Sequence, residues 1–92
     1  MDFYFLPDGH PYATPDHLTH AGRVEEDEFA MAQQVGLIDH HTDYYDDFRW
    51  TSEQVGHKLF LLASCPMRDS TEFQRILARA QAAGVGVLAV GE

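Results

Sequence analysis

The sequence is poor in cysteine, in basic residues and in long apolar runs, and each shortage excludes a class of protein. The single cysteine, Cys65, cannot form an internal disulfide, and no cysteine cluster is present to bind zinc. No apolar run reaches the roughly 18 residues that a membrane-spanning helix requires. The first residues contain no basic segment followed by a long apolar run, so we expect no signal peptide. These features predict a cytoplasmic protein that does not bind a membrane.

The charge is strongly acidic and is concentrated in the first half of the chain. Six basic residues against 15 acidic residues give a formal net charge of -9 at pH 7. Residues 1–50 hold eleven acids and two bases, whereas residues 51–92 hold four acids and four bases. Such a field repels nucleic acid and anionic lipid, and it speeds encounter with a basic protein surface. An acidic excess also keeps a small domain in solution, so charge alone does not establish a binding function.

The length of 92 residues predicts one domain, spanning residues 1–92, with a modest core. Hydrophobic residues make up 45% of the chain, which is too many for a disordered protein. No internal repeat, low-complexity segment or linker is visible. In a chain of this size we expect a surface site instead of a deep, enclosed active site.

Local patterns in the first half predict one strand and two helices. Residues 2–6 form an apolar, aromatic-rich run ended by a proline and an Asp-Gly pair, which is typical of a strand. Thr14-Pro15-Asp16 is typical of a helix start and predicts a short helix over residues 14–21. The acids at residues 25–28 suit the positive end of a helix dipole and predict a helix from Arg23 or Val24 to Val35. Its predicted apolar stripe consists of Val24, Met31, Val35 and Ile38.

Patterns in the second half predict two helices and a final strand. Thr51 and Gln54 have the spacing of a capping box, which predicts a helix from there to about Ser64. A second helix follows from about residue 69 to Gly84, and residues 85–90 read as a strand. Its apolar face is predicted to consist of Phe73, Ile76, Leu77 and Ala80.

The predicted fold class is α+β, mainly helical, with a small sheet in which the N-terminal and C-terminal strands pair. The run Lys58–Ala63 is apolar enough to be a buried strand instead of a helix. The alternative fold is therefore a small three-stranded α/β layer.

The most chemically varied stretch is residues 39–50, where four aspartates, two histidines and four aromatic residues occur within twelve positions. Aromatic rings supply large contact areas at low entropic cost, and the interleaved acids would steer a basic partner. This mixture is typical of protein recognition. The predicted partner-binding residues are Asp39, Asp43, Tyr44, Tyr45, Asp46, Asp47, Phe48 and Trp50, with Glu25 and Glu26 extending the field. The two tyrosines are expected to be exposed, whereas Phe48 and Trp50 are also candidates for the core.

The same stretch offers an alternative, because imidazole and carboxylate groups are ligands for zinc, manganese or iron. His40, His41 and Asp43 are the candidate ligands. If they bind a metal, the protein would be a metal-dependent hydrolase or a metal-binding protein. The tripeptide Asp39-His40-His41 resembles the signature of DHH phosphoesterases, but the upstream aspartates and second domain of that family have no counterpart, so nothing is carried over. A second histidine pair, His17 and His20, could join His10 or Asp16 at a metal.

Evidence for other catalysis is slight. Cys65 is more typical of a buried apolar residue than of a nucleophile, and Gly84-Val85-Gly86 follows a helix, unlike a phosphate-binding loop. We therefore expect no enzyme activity, no cofactor and no nucleic-acid binding. The leading hypothesis is a small acidic inhibitor or regulator that docks on a basic site of a partner such as a toxin or enzyme. It is similar in size and charge to bacterial immunity proteins and antitoxin-like inhibitors. A homo-oligomeric accessory subunit, such as a homodimer, is the further alternative.

Overall fold

The computed structural model describes residues 1–9, 17–64 and 71–91. Within these ranges the chain forms four strands and three helices, which confirms the α+β class, although "mainly helical" understates the sheet. The elements are β1 (Asp2–Leu6), β2 (His20–Arg23), α1 (Glu26–Gln34), β3 (Phe48–Trp50), α2 (Ser52–Ala63), α3 (Thr71–Ala83) and β4 (Gly86–Val90).

The strands form one antiparallel sheet in the order β2-β1-β4-β3. The predicted pairing of the terminal strands is confirmed, because β1 and β4 are neighbours at the centre of the sheet, with Phe3 opposite Ala89. The two edge strands were not predicted. β2 consists of His-Ala-Gly-Arg, which has little intrinsic preference for a strand, and β3 has only three residues. Both are strands because a central strand offers them hydrogen-bond partners.

The predicted helix over residues 14–21 is wrong at its end, because His20 and Ala21 belong to β2. Residues 14–16, where the helix start was predicted, lie outside the described residues. In β2, Gly22 pairs with Phe3 of β1, so backbone bonds to a distant strand replace the local bonds of a helix.

The core lies between the sheet and helices α2 and α3. Phe3 is fully buried, and its ring lies 6.1, 6.3 and 5.9 Å from the rings of Phe48, Trp50 and Phe73, measured between centroids. The predicted apolar face of α3 is confirmed, since Phe73, Ile76, Leu77 and Ala80 are all fully buried.

Helix α2 begins as the sequence predicts. Thr51 and Gln54 form the predicted capping box, with the Thr51 side chain accepting from the Gln54 N–H and the Gln54 side chain accepting from the Thr51 N–H. Asp8 adds a second cap, since its carboxylate accepts hydrogen bonds from the Ser52 N–H at 2.8 Å and from the Ser52 hydroxyl. These two bonds lower the pKa of Asp8. Because residues 58–63 lie inside this helix, the three-stranded α/β alternative is wrong.

Helix α1 begins two or three residues later than predicted, because Arg23 is in β2 and the Val24 N–H donates to the carbonyl of Met1. Its buried residues are Phe29 and Ala32, whereas Met31 from the predicted stripe is 48% exposed. Along the described ranges, no helix combines the length and the apolar character needed to cross a membrane.

Candidate partner-binding site

Residues 39–47, which we term the acidic loop, connect α1 to β3 and contain the four predicted docking aspartates. Every one of these carboxylates accepts a backbone hydrogen bond through one oxygen. Three of the bonds close short turns inside the loop, and the fourth reaches the chain after β4. They join His41 N to Asp39 Oδ1 at 2.8 Å, Tyr45 N to Asp43 Oδ1 at 3.0 Å, Asp43 N to Asp46 Oδ2 at 3.0 Å, and Gly91 N to Asp47 Oδ1 at 3.0 Å. The aspartates therefore shape the loop as well as charge it.

Gln33 of α1 holds the acidic loop against the helix. Its side-chain nitrogen lies 2.6 Å from the carbonyl oxygen of Thr42, 3.0 Å from that of Asp39 and 3.5 Å from that of His40. All three neighbours are acceptors, so the amide nitrogen must face the loop. Sequence reasoning missed Gln33, because a glutamine near the end of a helix gives no signal of a distant partner.

The C-terminal end of the sheet supports the loop from another direction. A Cβ atom added at Gly91 would lie 2.2 to 2.5 Å from the backbone of Tyr45. The chain after β4 therefore passes directly against the loop, at a distance that only glycine permits. The acidic loop is therefore braced by contacts with α1 and with the end of β4.

The predicted exposure of the tyrosine pair is correct for Tyr45 and wrong for Tyr44. Tyr45 is 60% exposed. Tyr44 is half-buried, its ring packs 5.3 Å from that of Phe29, and its hydroxyl donates to the carbonyl of Val24 at 3.0 Å. The hydroxyl also accepts from the amino group of Met1 at 2.8 Å. Tyr44 anchors the loop to the core because both its ring and its polar end have internal partners.

Phe48 and Trp50, the other predicted ring anchors, belong to the core. Trp50 is only 8% exposed, and Phe48 is half-buried against the same core residues. The Lys58 ammonium group lies 5.0 Å from the Trp50 ring and donates to the carbonyl of Leu37 at 2.7 Å. Burial lowers the pKa of Lys58, while nearby Asp39 opposes that shift. Of the four predicted rings, Tyr45 is therefore the one most available to a partner.

A groove of about 340 Å³ separates α1 from the acidic loop. Glu26 from the first turn of α1 and Asp43 from the loop both line it, so two acids that are 17 positions apart in sequence meet at one site. Glu25 is not part of its lining and lies near Arg23, with Nε and Oε1 3.5 Å apart on largely exposed side chains. The other polar or aromatic lining residues include Gln33, His40, His41 and Tyr44.

The alternative metal site finds no supporting geometry in residues 1–9, 17–64 and 71–91. His40, His41 and Asp43 line the same groove, yet these ranges contain no cluster of three His, Cys, Asp or Glu side chains placed to hold a metal ion. His20 instead contacts Asp2, with Nε2 and Oδ1 3.0 Å apart. His10, Asp16 and Cys65 lie outside the described residues.

Comparison with known proteins gives no relative from which a function could be transferred. No protein-family model matches the chain, and neither the curated proteins nor the solved structures contain a match. The groove and the acidic loop are therefore the features that bear on function.

Proposed function

We propose that this protein is a small acidic inhibitor or regulator that docks the acidic loop and the first turn of α1 onto a basic site of a partner protein. The observation that carries the proposal is the groove in which Glu26 and Asp43 meet. The partner would be a toxin or an enzyme whose basic site is covered by the complex, as in immunity proteins. The single cysteine and the lack of a long apolar run favour a cytoplasmic location.

The internal contacts of the loop support a docking role. The contacts from Gln33, Tyr44 and Gly91 are formed before any partner arrives. A loop already held in its binding conformation loses little entropy on association, which favours affinity. Its carboxylates would raise the rate of encounter with a basic surface, and salt would screen that effect.

The structure changes which ring should carry binding energy. Tyr45 is exposed beside the aspartates, whereas Trp50 is in the core. Tyr45→Ala should therefore weaken partner binding by on the order of 2 kcal/mol. Loss of its edge-to-face contact with Tyr44, at 5.4 Å between ring centroids, should lower the free energy of unfolding by about 0.5–1.5 kcal/mol.

The charge of the loop can be tested without altering its shape. In an Asp43→Asn, Asp46→Asn, Asp47→Asn variant, each asparagine keeps a side-chain oxygen for the backbone bond and loses the negative charge. Glu53→Gln, at an exposed acid of α2, is the control. The tagged proteins would be used to capture partners from the native cell. The rate at which each variant associates with a captured partner would then be measured at two salt concentrations.

We expect to capture a basic protein that binds both the wild type and the control. At low salt it should associate at least about tenfold more slowly with the triple variant. We also expect the wild-type association rate to fall as salt is added. Equal binding by the triple variant and the wild type would overturn the docking role.

A further inference from the structure

The groove between α1 and the acidic loop has a lining that suits one kind of partner group. Among the described residues that line it, the charged ones are Glu26 and Asp43, both acids, with no lysine or arginine beside them. The acids stand on different elements, one on the helix and one on the loop. A ligand seated between them would therefore have negative charge on two sides.

Gln33 and Asp43 each have a side-chain oxygen able to accept a hydrogen bond from a ligand. Gln33 points its amide nitrogen at the carbonyls of the loop, so its side-chain oxygen is the end left for a ligand. Asp43 uses Oδ1 for the Tyr45 N–H, and among the described residues no hydrogen bond to its Oδ2 is found. Within the described part of the lining, the side chains left to donate to a ligand are His40, His41 and Thr42. The Tyr44 hydroxyl donates to the carbonyl of Val24, and the Gln33 amide nitrogen donates to loop carbonyls.

Aromatic surface is present in the same place. Phe29 is only 3% exposed and supports the half-buried Tyr44 ring edge-to-face at 5.3 Å, so Tyr44 is the lining ring that a ligand can contact. A cation is attracted to an aromatic ring, whereas an anion would meet two carboxylates. At about 340 Å³, the groove is large enough for one long side chain and too small for a folded element.

We infer that the groove receives an arginine side chain of the partner protein. This inference rests on the proposed function, since it names the group through which the basic partner docks. Arginine fits better than lysine because its planar guanidinium carries five N–H donors in a fixed fork, which suits a lining whose acceptors come from several residues. The ammonium group of lysine is a compact point charge and cannot match acceptors spread across the groove.

The experiment is a titration of the isotopically labelled full chain with three small probes, followed by NMR. The probes are N-acetyl-arginine amide, N-acetyl-lysine amide, and N-acetyl-citrulline amide, which has nearly the shape of arginine without its charge. Shifts are recorded for the side-chain amide of Gln33 and for the backbone amides of residues 40–44. The titrations are repeated on the double variant Glu26→Gln, Asp43→Asn and on the control Glu53→Gln.

The arginine probe is expected to give saturable shifts centred on Gln33 and residues 40–44. Its affinity should exceed that of the citrulline probe by about tenfold, exceed that of the lysine probe, and fall about tenfold in the double variant while the control is unchanged. Equal binding of arginine and citrulline, equal binding of arginine and lysine, or shifts unaffected by the double variant would overturn the inference.

This outcome is separable from that of the proposed function. If the arginine probe does not bind the groove but the triple aspartate variant binds the native partner more weakly than the wild type, the docking role is supported and the arginine site is refuted. If the native partner binds the triple variant as well as the wild type, the docking role falls whatever the probe does.

Discussion

We expect Gln33 to hold the acidic loop in place, although it carries no charge and lies outside the chemically varied stretch of residues 39–50. Replacing it with alanine removes the bonds from its amide nitrogen to the carbonyls of Thr42 and Asp39, at 2.6 and 3.0 Å. The fold of α1 should persist, because alanine is the best helix former. The loop alone should loosen.

The expected loss follows from these two bonds. Each is worth about 1 kcal/mol net, and the better helix propensity of alanine returns about 0.4 kcal/mol. Gln33→Ala should therefore lower the free energy of unfolding by about 1.5 kcal/mol, which in a domain of this size lowers Tm by about 6–12 °C. Gln33→Glu should be worse near neutral pH, because a carboxylate would face carbonyl oxygens, and it should recover in acid as that group takes up a proton and can donate.

Denaturant unfolding and hydrogen exchange of the loop amides measure the effect. Gln34→Ala is the matched control, since Gln34 is the exposed neighbour on the same helix. Partner binding should also weaken in Gln33→Ala, because the loop must then be ordered on association. The reasoning is refuted if both alanine variants unfold alike and their loop amides exchange at wild-type rates.

Three further outcomes follow from the packing around the sheet. A Cβ at Gly86 would lie 2.1 Å from the carbonyl oxygen of Trp50, so Gly86→Ala should cost about 2–4 kcal/mol of stability. In Gly56→Ala of α2 the new Cβ atom meets nothing closer than 3.4 Å, so this variant should be more stable by about 0.5–1 kcal/mol. Equal denaturation midpoints for the two variants would contradict this contrast. Trp50→Ala should lower the free energy of unfolding by about 3–5 kcal/mol. A variant that is as stable as the wild type but no longer binds the partner would show that Trp50 is a contact residue. Hydrogen bonds from Ser52 lower the pKa of Asp8. The ionised carboxylate therefore stabilises the fold fully above the unfolded-state pKa of about 3.9, and this stabilisation is lost as the pH falls through the lower pKa of the folded state. The stability gap between wild type and Asp8→Asn should therefore narrow in acid titrations monitored by circular dichroism, and a gap independent of pH would exclude the carboxylate as the cause.

The groove could not have been predicted from the chain alone. The acids at residues 25–28 and the aspartates of the acidic loop were each visible as patterns, but nothing local indicated that Glu26 and Asp43 would line one groove. Their meeting depends on Gln33 and Tyr44, which join the loop to α1 and to the core. Such contacts are set by the three-dimensional path of the chain.

Sequence by itself determined the elements whose pattern is complete within one segment. The apolar spacing of α3, the capping box at Thr51 and the apolar runs of β1 and β4 were sufficient, because each depends on neighbours a few residues apart. It also established the acidic charge of the first half.

Tertiary structure alone decided β2, β3 and the roles of the central rings. A strand of three or four residues is stable only through hydrogen bonds to a neighbour distant in sequence, and its own residues do not encode that neighbour. Trp50 and Tyr45 have similar surroundings in the sequence, but Trp50 lies on a strand beside Phe3 and Tyr45 on a turn facing solvent. Which of two nearby rings stabilises the fold and which is left for a partner depends on where the sheet places them.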